Sequence, residues 1–373
     1  MKIIIDDKIP YIRGVFEPFA EVCYLSGAAT TAEIAHNADA LITRTRTICN
    51  QKLLENSTVK FIATATIGYD HIDTEWCKSA GIEWTNAPGC NSSSVEQYVL
   101  AAILYQAREK GLILKGKTLG VVGVGNVGSK VARVGQLLGM KVLLNDPPRE
   151  RTEGEGIFTS LDHILEEADI ITLHVPLQHE GPDKTFHLAN RDFFKKLKRN
   201  PIFINTCRGE VTNATALKEA IEKERISGAI IDCWENEPHL DQELMRMVDI
   251  ATPHIAGYSR DGKANGTTMC VQAISRFFKL GIDNWNAEAT EAPANPIITL
   301  EENESDLLKL VTQAVLTTYP IWKDYEQLLH SPEAFEKQRG DYPVRREYRA
   351  YTIKGGNAEA RSVLKELGFK IEA

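Results

Sequence analysis

Thr118-Leu119-Gly120-Val121-Val122-Gly123-Val124-Gly125-Asn126-Val127-Gly128 is a β-branched apolar run that passes directly into G-x-G-x-x-G. A short buried strand is expected over 118–122, and a helix over 127–138. In that context each glycine has a physical task. Gly123 permits the tight turn, Gly125 lets a pyrophosphate approach the backbone, and Gly128 packs helix against strand. Asn126 and Val127 complete a turn whose free N–H groups and helix dipole suit phosphate oxygens. The next strand, 141–146, ends in Asp146. A carboxylate there accepts hydrogen bonds from ribose hydroxyls and repels a 2′-phosphate, so NAD is expected over NADP. Arg149 and Arg151, close behind it, argue mildly the other way.

The pattern continues on the C-terminal side of this unit. Strands are expected at 169–174, 201–207, 228–233 and 249–252, with helices at 160–168, 191–197 and 214–224 between them. Six strands alternating with helices make a doubly wound parallel sheet. Before it, residues 1–90 carry strand-like runs at 2–6, 40–43, 60–64 and 82–85 and a helix at 74–80. A long helix follows over 94–111, apolar at Val95, Tyr98, Val99, Ala102 and Ile103, with Ser92 to Ser94 as N-cap candidates. After a further helix at 261–280, the segment 292–296 reads as a linker. A strand at 297–300, a helix at 307–316, a strand at 348–353 and a helix at 358–367 make a small separate α/β domain.

The 373 residues suffice for two or three domains, and 43% hydrophobic with 25% charged residues is ordinary for a globular protein. A net charge of −8 with no basic stripe argues against nucleic acid as a partner. The longest apolar run, 99–105, is far short of the ~20 residues that span a bilayer. Asp6 and Asp7 interrupt any leader-like start, so neither export nor membrane insertion is expected. Cys23, Cys49, Cys77, Cys90, Cys207, Cys233 and Cys270 are odd in number and lack metal-ligand spacing. They suit a reducing cytoplasm, and no metal is expected.

Three segments at the expected carboxyl ends of later strands carry polar groups, where ligands bind in such sheets. They are Asn205-Thr206-Cys207-Arg208-Gly209, Asp232-Cys233-Trp234-Glu235-Asn236-Glu237-Pro238, and Pro253-His254-Ile255-Ala256-Gly257-Tyr258. Singly, each has a plain structural reading as an ion pair or a loop residue. Together they supply what hydride chemistry at a hydroxyl-bearing carbon needs. Arg208 offers a fork to a carboxylate. His254 can carry the hydroxyl proton, and Glu237 can orient it and favour its charged form.

These motifs, in this order, resemble the D-isomer-specific 2-hydroxyacid dehydrogenases across the first ~285 residues. The resemblance implies Arg208, Glu237 and His254 as the catalytic trio and Asp232 as a nicotinamide-amide contact, with Cys207 beside the cofactor. It implies a flavodoxin-like substrate domain formed by 1–93 with 258–285, a Rossmann NAD domain over 94–257, and a C-terminal domain over 286–373. Finer stretches point to one branch of the family. They are Thr64-Ala65-Thr66-Ile67-Gly68-Tyr69-Asp70-His71, Ala87-Pro88-Gly89-Cys90-Asn91 and the run from His254 to Thr268. That branch oxidises 4-phospho-D-erythronate to 2-oxo-3-hydroxy-4-phosphobutanoate in vitamin B6 synthesis and dimerises through its C-terminal appendix. By this resemblance Thr45, Thr66 and Tyr258 contact substrate, while Val175 and Gly257 line the NAD site. The family often has a hydroxyl residue where Val175 stands, so any contact there is through backbone or packing. A substrate phosphate needs a second cation: Arg44 and Arg46, or the adjacent Arg345 and Arg346, are candidates. Two other readings stay open, a 3-phosphoglycerate or broader D-2-hydroxyacid dehydrogenase and an NAD-sensing protein of the corepressor type. Formate dehydrogenase pairs its His with Gln, whereas position 237 is Glu.

Overall fold

The computed structural model describes residues 1–154 and 156–372. The chain forms two compact units, Met1–Asn91 with Ser259–Glu291, and Ser92–Tyr258 with Ala292–Ala373.

In the first unit, β1 (Lys2–Asp6), β2 (Glu21–Leu25), β3 (Ala40–Thr43), β4 (Phe61–Thr64) and β5 (Glu83–Thr85) form one sheet. Its order is β2-β1-β3-β4-β5 and every pair is parallel, which is the flavodoxin-like arrangement. Side chains alternate across it. Ile3, Ile5, Ile42 and Ala63 enter one core, and Ile4, Leu41 and Ile62 enter the other. The helix Arg260–Phe278 closes the first core with Cys270, Val271 and Ile274. Ser259 caps it, its Oγ accepting the Gly262 N–H at 2.8 Å. The edge strand β2 is not anticipated by the sequence reading: Glu-Val-Cys-Tyr-Leu is largely half-exposed and shows no clean alternation. The register Thr43↔Thr64 sets residues 44–46 and 65–66 side by side past the carboxyl ends of β3 and β4.

In the second unit, β6 (Thr118–Val122), β7 (Lys141–Asn145), β8 (Ile170–Leu173), β9 (Ile202–Asn205), β10 (Gly228–Ile231) and β11 (Ile250–Ala251) form a parallel sheet. The order is β11-β10-β9-β8-β6-β7. The chain therefore changes direction across the sheet between β6 and β8, where such folds bind ligands.

Residues 292–372 carry a third sheet, β12 (Ile297–Leu300), β13 (Thr352–Gly355) and β14 (Lys370–Ile371), also parallel. They share a core with the Rossmann sheet. Leu310, Val311, Ala314 and Val315 of the helix Leu307–Thr318 join the cluster that holds Val95, Val99 and Ile103 of the helix Ser92–Lys110. That is why the long helix is buried on nearly every face, where a surface helix keeps one polar side. It begins at Ser92, so Ser92 to Ser94 form its first turn and do not cap it from outside. The strand expected at 348–353 is a short 3-10 turn, Tyr348–Ala350, followed by β13. The helices Ile321–His330 and Phe335–Gly340 lie where the sequence shows no clear periodicity. Among the described residues no helix is long and apolar enough to cross a membrane.

Candidate active site

The glycine-rich turn forms as the sequence requires. Gly123 has φ +86°, and a Cβ there would lie 2.6 Å from the His174 carbonyl oxygen and 2.9 Å from Val175 Cγ1. A Cβ on Gly128, the first residue of the helix Gly128–Leu137, would lie 1.9 Å from the Gly123 carbonyl oxygen. Gly125 and Asn126 are exposed, and a Cβ on Gly125 would meet nothing within 4 Å. The turn is thus closed from behind and open where a dinucleotide pyrophosphate would lie, with Val127 at the helix N-cap position.

Asp146 ties this turn to β7. Its Oδ2 accepts the Val124 N–H at 2.8 Å and its Oδ1 the Arg149 N–H at 3.1 Å, capping the helix Pro147–Glu153. Arg149 is committed to Glu153 at 2.6 Å and Arg151 to Asp183. Neither guanidinium near Asp146 is left without a carboxylate to meet a 2′-phosphate.

Past β9, the buried Asn205 organises the next loop. Its Nδ2 donates to the Arg208 carbonyl oxygen at 2.9 Å and to Thr212 Oγ1 at 3.1 Å, while its Oδ1 accepts the Cys207 N–H at 3.1 Å. Burial pushes the Cys207 thiol up to about 11. Arg208 is half-buried and donates from Nη1 to the Cys207 carbonyl oxygen at 2.8 Å. Gly209 sets the approach to the following loop: a Cβ there would fall 2.0 Å from the Trp234 carbonyl.

Past β10, Glu237 Oε1 accepts the Trp234 N–H at 2.8 Å, and its Oε2 meets His254 Nδ1 at 2.8 Å. Burial alone would raise the Glu237 carboxyl. The charge and hydrogen bond of His254, the Trp234 N–H and the charge of Arg339 outweigh burial, so it lies below the usual carboxylate range. The Glu237 contact engages the Nδ1 edge of the His254 ring.

His254 itself has φ +53°, a left-handed conformation that a non-glycine residue holds only when its surroundings enforce it. Asp232 is the main enforcer. It is 1% exposed, and its carboxylate accepts the Thr252 hydroxyl at 2.6 Å and the N–H groups of Ile255 and Ala256 at 2.8 and 2.9 Å. Burial raises its carboxyl above the ordinary value against these opposing interactions. The Tyr98 hydroxyl meets Thr252 Oγ1 at 2.6 Å, and the Trp234 indole N–H donates to the Thr252 carbonyl oxygen at 2.9 Å. Tyr98, Thr252 and Trp234 carry no signal in the sequence beyond being buried polar residues.

The second unit therefore gathers Gly123 to Gly128, Asp146, Val175, Cys207, Arg208, Asp232, Glu237, His254, Gly257 and Tyr258 around the carboxyl ends of one sheet. In the first unit, Arg44, Thr45 and Arg46 follow β3 and Thr66 follows β4. Thr66 Oγ1 meets Thr64 Oγ1 at 2.8 Å and donates to the Gly68 carbonyl oxygen at 2.8 Å. Arg346 is half-buried, with its carbonyl oxygen accepting Gln97 Nε2 at 3.1 Å. Arg345 is corrected by the structure. At 4% exposure it lies inside the second unit and is no ligand for a substrate phosphate.

A family model described as D-isomer specific 2-hydroxyacid dehydrogenase, NAD binding domain, matches residues 92–256. The erythronate-4-phosphate dehydrogenase of Bacteroides thetaiotaomicron is 55% identical over 357 residues, covering 95% of this chain and 99% of that one. This chain belongs to the erythronate-4-phosphate dehydrogenase family. The Porphyromonas gingivalis erythronate-4-phosphate dehydrogenase is 41% identical, covering 99% of this chain and 100% of its own. Beyond such close relatives, a solved D-lactate dehydrogenase from Aquifex aeolicus, complexed with NAD and lactic acid, superposes with TM-score 0.64 at 26% identity. It covers 78% of this chain and 100% of that one. The erythronate-4-phosphate dehydrogenase fold here is thus that of an NAD-dependent 2-hydroxyacid dehydrogenase, extended at its C-terminus. A model described as a domain of unknown function (DUF3410) matches that extension, residues 291–368. Cys233, Glu237 and His254 also place three metal-capable donor atoms within 4.8 Å of one another. Burial holds the Cys233 thiol well above its ordinary value, and the other two groups are engaged with each other.

Proposed function

We propose that the chain oxidises 4-phospho-D-erythronate to 2-oxo-3-hydroxy-4-phosphobutanoate, a step of vitamin B6 synthesis, with NAD. The observation that carries this reading is the hydrogen-bonded Glu237–His254 pair on the loops beside Arg208, in a chain of this family. NAD, when bound, supplies the hydride acceptor; Gly123 to Gly128 and Asp146 would hold it, with Val175, Cys207, Asp232 and Gly257 along its course. Arg208 fixes the substrate carboxylate through its planar fork. His254 takes the C2 hydroxyl proton at Nε2 as general base, and returns it in the reverse direction. Glu237 fixes the tautomer and stabilises the imidazolium as it forms. Thr45, Thr66 and Tyr258 contact the substrate, and Arg44 and Arg46 are the candidate phosphate ligands, with Arg346 as the further one. We place the enzyme in the cytoplasm as a homodimer, with residues 286–373 as the dimerisation segment.

The test is NADH formation by the purified protein with NAD and 4-phospho-D-erythronate, beside 3-phospho-D-glycerate and D-lactate. A 2-oxo acid is added so that tightly held NADH does not stall turnover. Preference for phosphoerythronate is the expected result. Preference for another acid would leave the chemistry and move the pathway. NAD binding with no turnover on any of them would refute the enzyme reading in favour of an NAD sensor.

A further inference from the structure

The loop that carries His254 is gripped from two sides, and only one grip comes from the Rossmann sheet. Asp232 holds the N–H groups of Ile255 and Ala256. The carbonyl oxygens of the same two residues accept hydrogen bonds from Arg345, which the chain supplies some ninety residues later. Its Nη2 donates to the Ile255 oxygen at 3.1 Å, and also to the Ala256 oxygen and to Ser94 Oγ. Ser94 itself donates to the Ala256 oxygen at 2.9 Å. The peptide joining Ile255 to Ala256 thus lies between a carboxylate on its N–H side and a guanidinium on its C=O side, and the peptides before and after it are each held by one of the two groups. That polarity suits the dipole of the shared peptide.

The assembly around Arg345 is more than packing requires. The guanidinium lies over the Tyr319 ring at 4.5 Å and near the Tyr342 ring at 5.7 Å. Both phenols donate to Asp324 Oδ2 at 2.7 Å, which brings a half-buried counter-charge into the cluster. Even so, Arg345 Nε and Nη1 have no hydrogen-bond partner among the described residues. A buried charge held so incompletely is weak evidence for stability, since apolar residues of similar volume fill such a site at least as well. What an apolar residue cannot do is hold two carbonyl oxygens. Tyr342 also packs edge-on against Tyr258 at 5.9 Å, at the far end of the same loop.

We propose that Arg345 is a positioning residue of the reaction: it fixes the 254–258 loop so that the His254 imidazole stays on Glu237 and faces the substrate. Residues 292–373 then contribute to catalysis within their own subunit, a task separate from joining two subunits. The proposal rests on the reading of His254 as the base, and the left-handed conformation of that residue is what makes an external brace necessary.

The test uses the full-length enzyme carrying Arg345→Met, Arg345→Lys or Arg345→Ala, compared with the wild type on 4-phospho-D-erythronate. For Arg345→Met, kcat falls about 100-fold, the effect of misplacing a reacting group by about 1 Å. KM and NAD affinity stay within about 3-fold of wild type, and a primary isotope effect appears with C2-deuterated substrate as chemistry becomes limiting. Arg345→Lys recovers part of kcat, and added guanidinium ion restores part of the activity of Arg345→Ala. If Arg345→Met does not fold, Ser94→Ala, which removes one grip on the Ala256 oxygen, lowers kcat about 3–10-fold with folding intact. A wild-type kcat in the folded variants, a loss confined to thermal stability, or an equal loss of NAD affinity would each overturn the proposal. A wild-type enzyme that turns over no hydroxy acid would overturn the functional reading first, and this one with it.

Discussion

Gly209→Ala is the sharpest test of how the Arg208 and Glu237 loops depend on each other. The backbone at Gly209 is not left-handed, so alanine meets no conformational penalty and any effect comes from contact alone. Its Cβ would fall 2.0 Å from both the carbon and the oxygen of the Trp234 carbonyl and 2.5 Å from the Glu235 nitrogen. Non-bonded carbon atoms rest about 3.5–4.0 Å apart, so the two loops must separate by roughly 1.5 Å. All the atoms met are backbone, and no side-chain rotation relieves the clash. The Trp234 N–H holds Glu237, so the displacement carries the carboxylate away from His254 or pushes Arg208 out of place. A shift of about 1 Å in a positioning group costs about 100-fold in rate, and overpacking costs about 1–3 kcal/mol of stability. The expected result is a kcat/KM at least about 100-fold below wild type, with NAD affinity by titration calorimetry near wild type, since the 123–128 turn is built on other contacts. Wild-type kcat/KM in Gly209→Ala would refute the coupling, and so would a loss that followed NAD affinity alone.

Further expectations concern charge. Glu237→Gln keeps the shape but cannot both accept the Trp234 N–H and accept Nδ1–H. Its turnover falls about 10²–10³-fold, and the acid limb of its pH–rate profile moves to lower pH; an unchanged profile would count against the pairing. Asp146→Ala weakens NAD about 10-fold yet gains no NADP activity, because Arg149 remains with Glu153; adding Glu153→Gln opens NADP use, which coenzyme kinetics will show or deny. Glu96 is buried, and burial pushes its carboxyl up to about 7, with Glu347 adding to the shift and Lys130 and Arg133 opposing it. The folded chain therefore holds that proton where the unfolded chain releases it, and stability falls as pH rises from the unfolded value near 4.5 through about 7. Glu96→Gln should then exceed wild type by about 1–3 kcal/mol at pH above the folded value and lose that advantage in acid, read from denaturant midpoints on both sides. An equal difference at both pH values would show that Glu96 is not the titrating group.

The features legible in sequence are those set by local chemistry. A glycine turn between strand and helix, and an Asp ending the next strand, follow from steric rules that hold within a few residues. The order of Arg208, Glu237 and His254 at strand ends was legible for the same reason, since parallel strands put their carboxyl ends on one edge. What stayed hidden depends on partners far away in the chain. Arg345 beside Arg346 has the look of an exposed basic pair, and only the fold shows that one of them is buried against residues 255 and 256. Asp232 offered a ligand contact by resemblance, while its carboxylate visibly holds three groups of its own chain. Strand β2 leaves little trace in the sequence because an edge strand needs no alternation. The helices Ile321–His330 and Phe335–Gly340 lack a clear start and stop in the sequence.

The interrupted course of the first unit has a consequence for biosynthesis. Its sheet is finished by Asn91, but the helix that covers Ile3, Ile5 and Phe61 arrives only with Arg260–Phe278. At about 5–20 residues per second, a ribosome leaves that apolar face waiting on the order of 10–40 s. The long helix Ser92–Lys110 waits longer still for Leu307–Thr318. Both cores are therefore sealed by late segments, so a nascent chain stalled or cut before Arg260 presents two uncovered apolar faces to chaperones and proteases, and one stopped between Phe278 and Leu307 presents one.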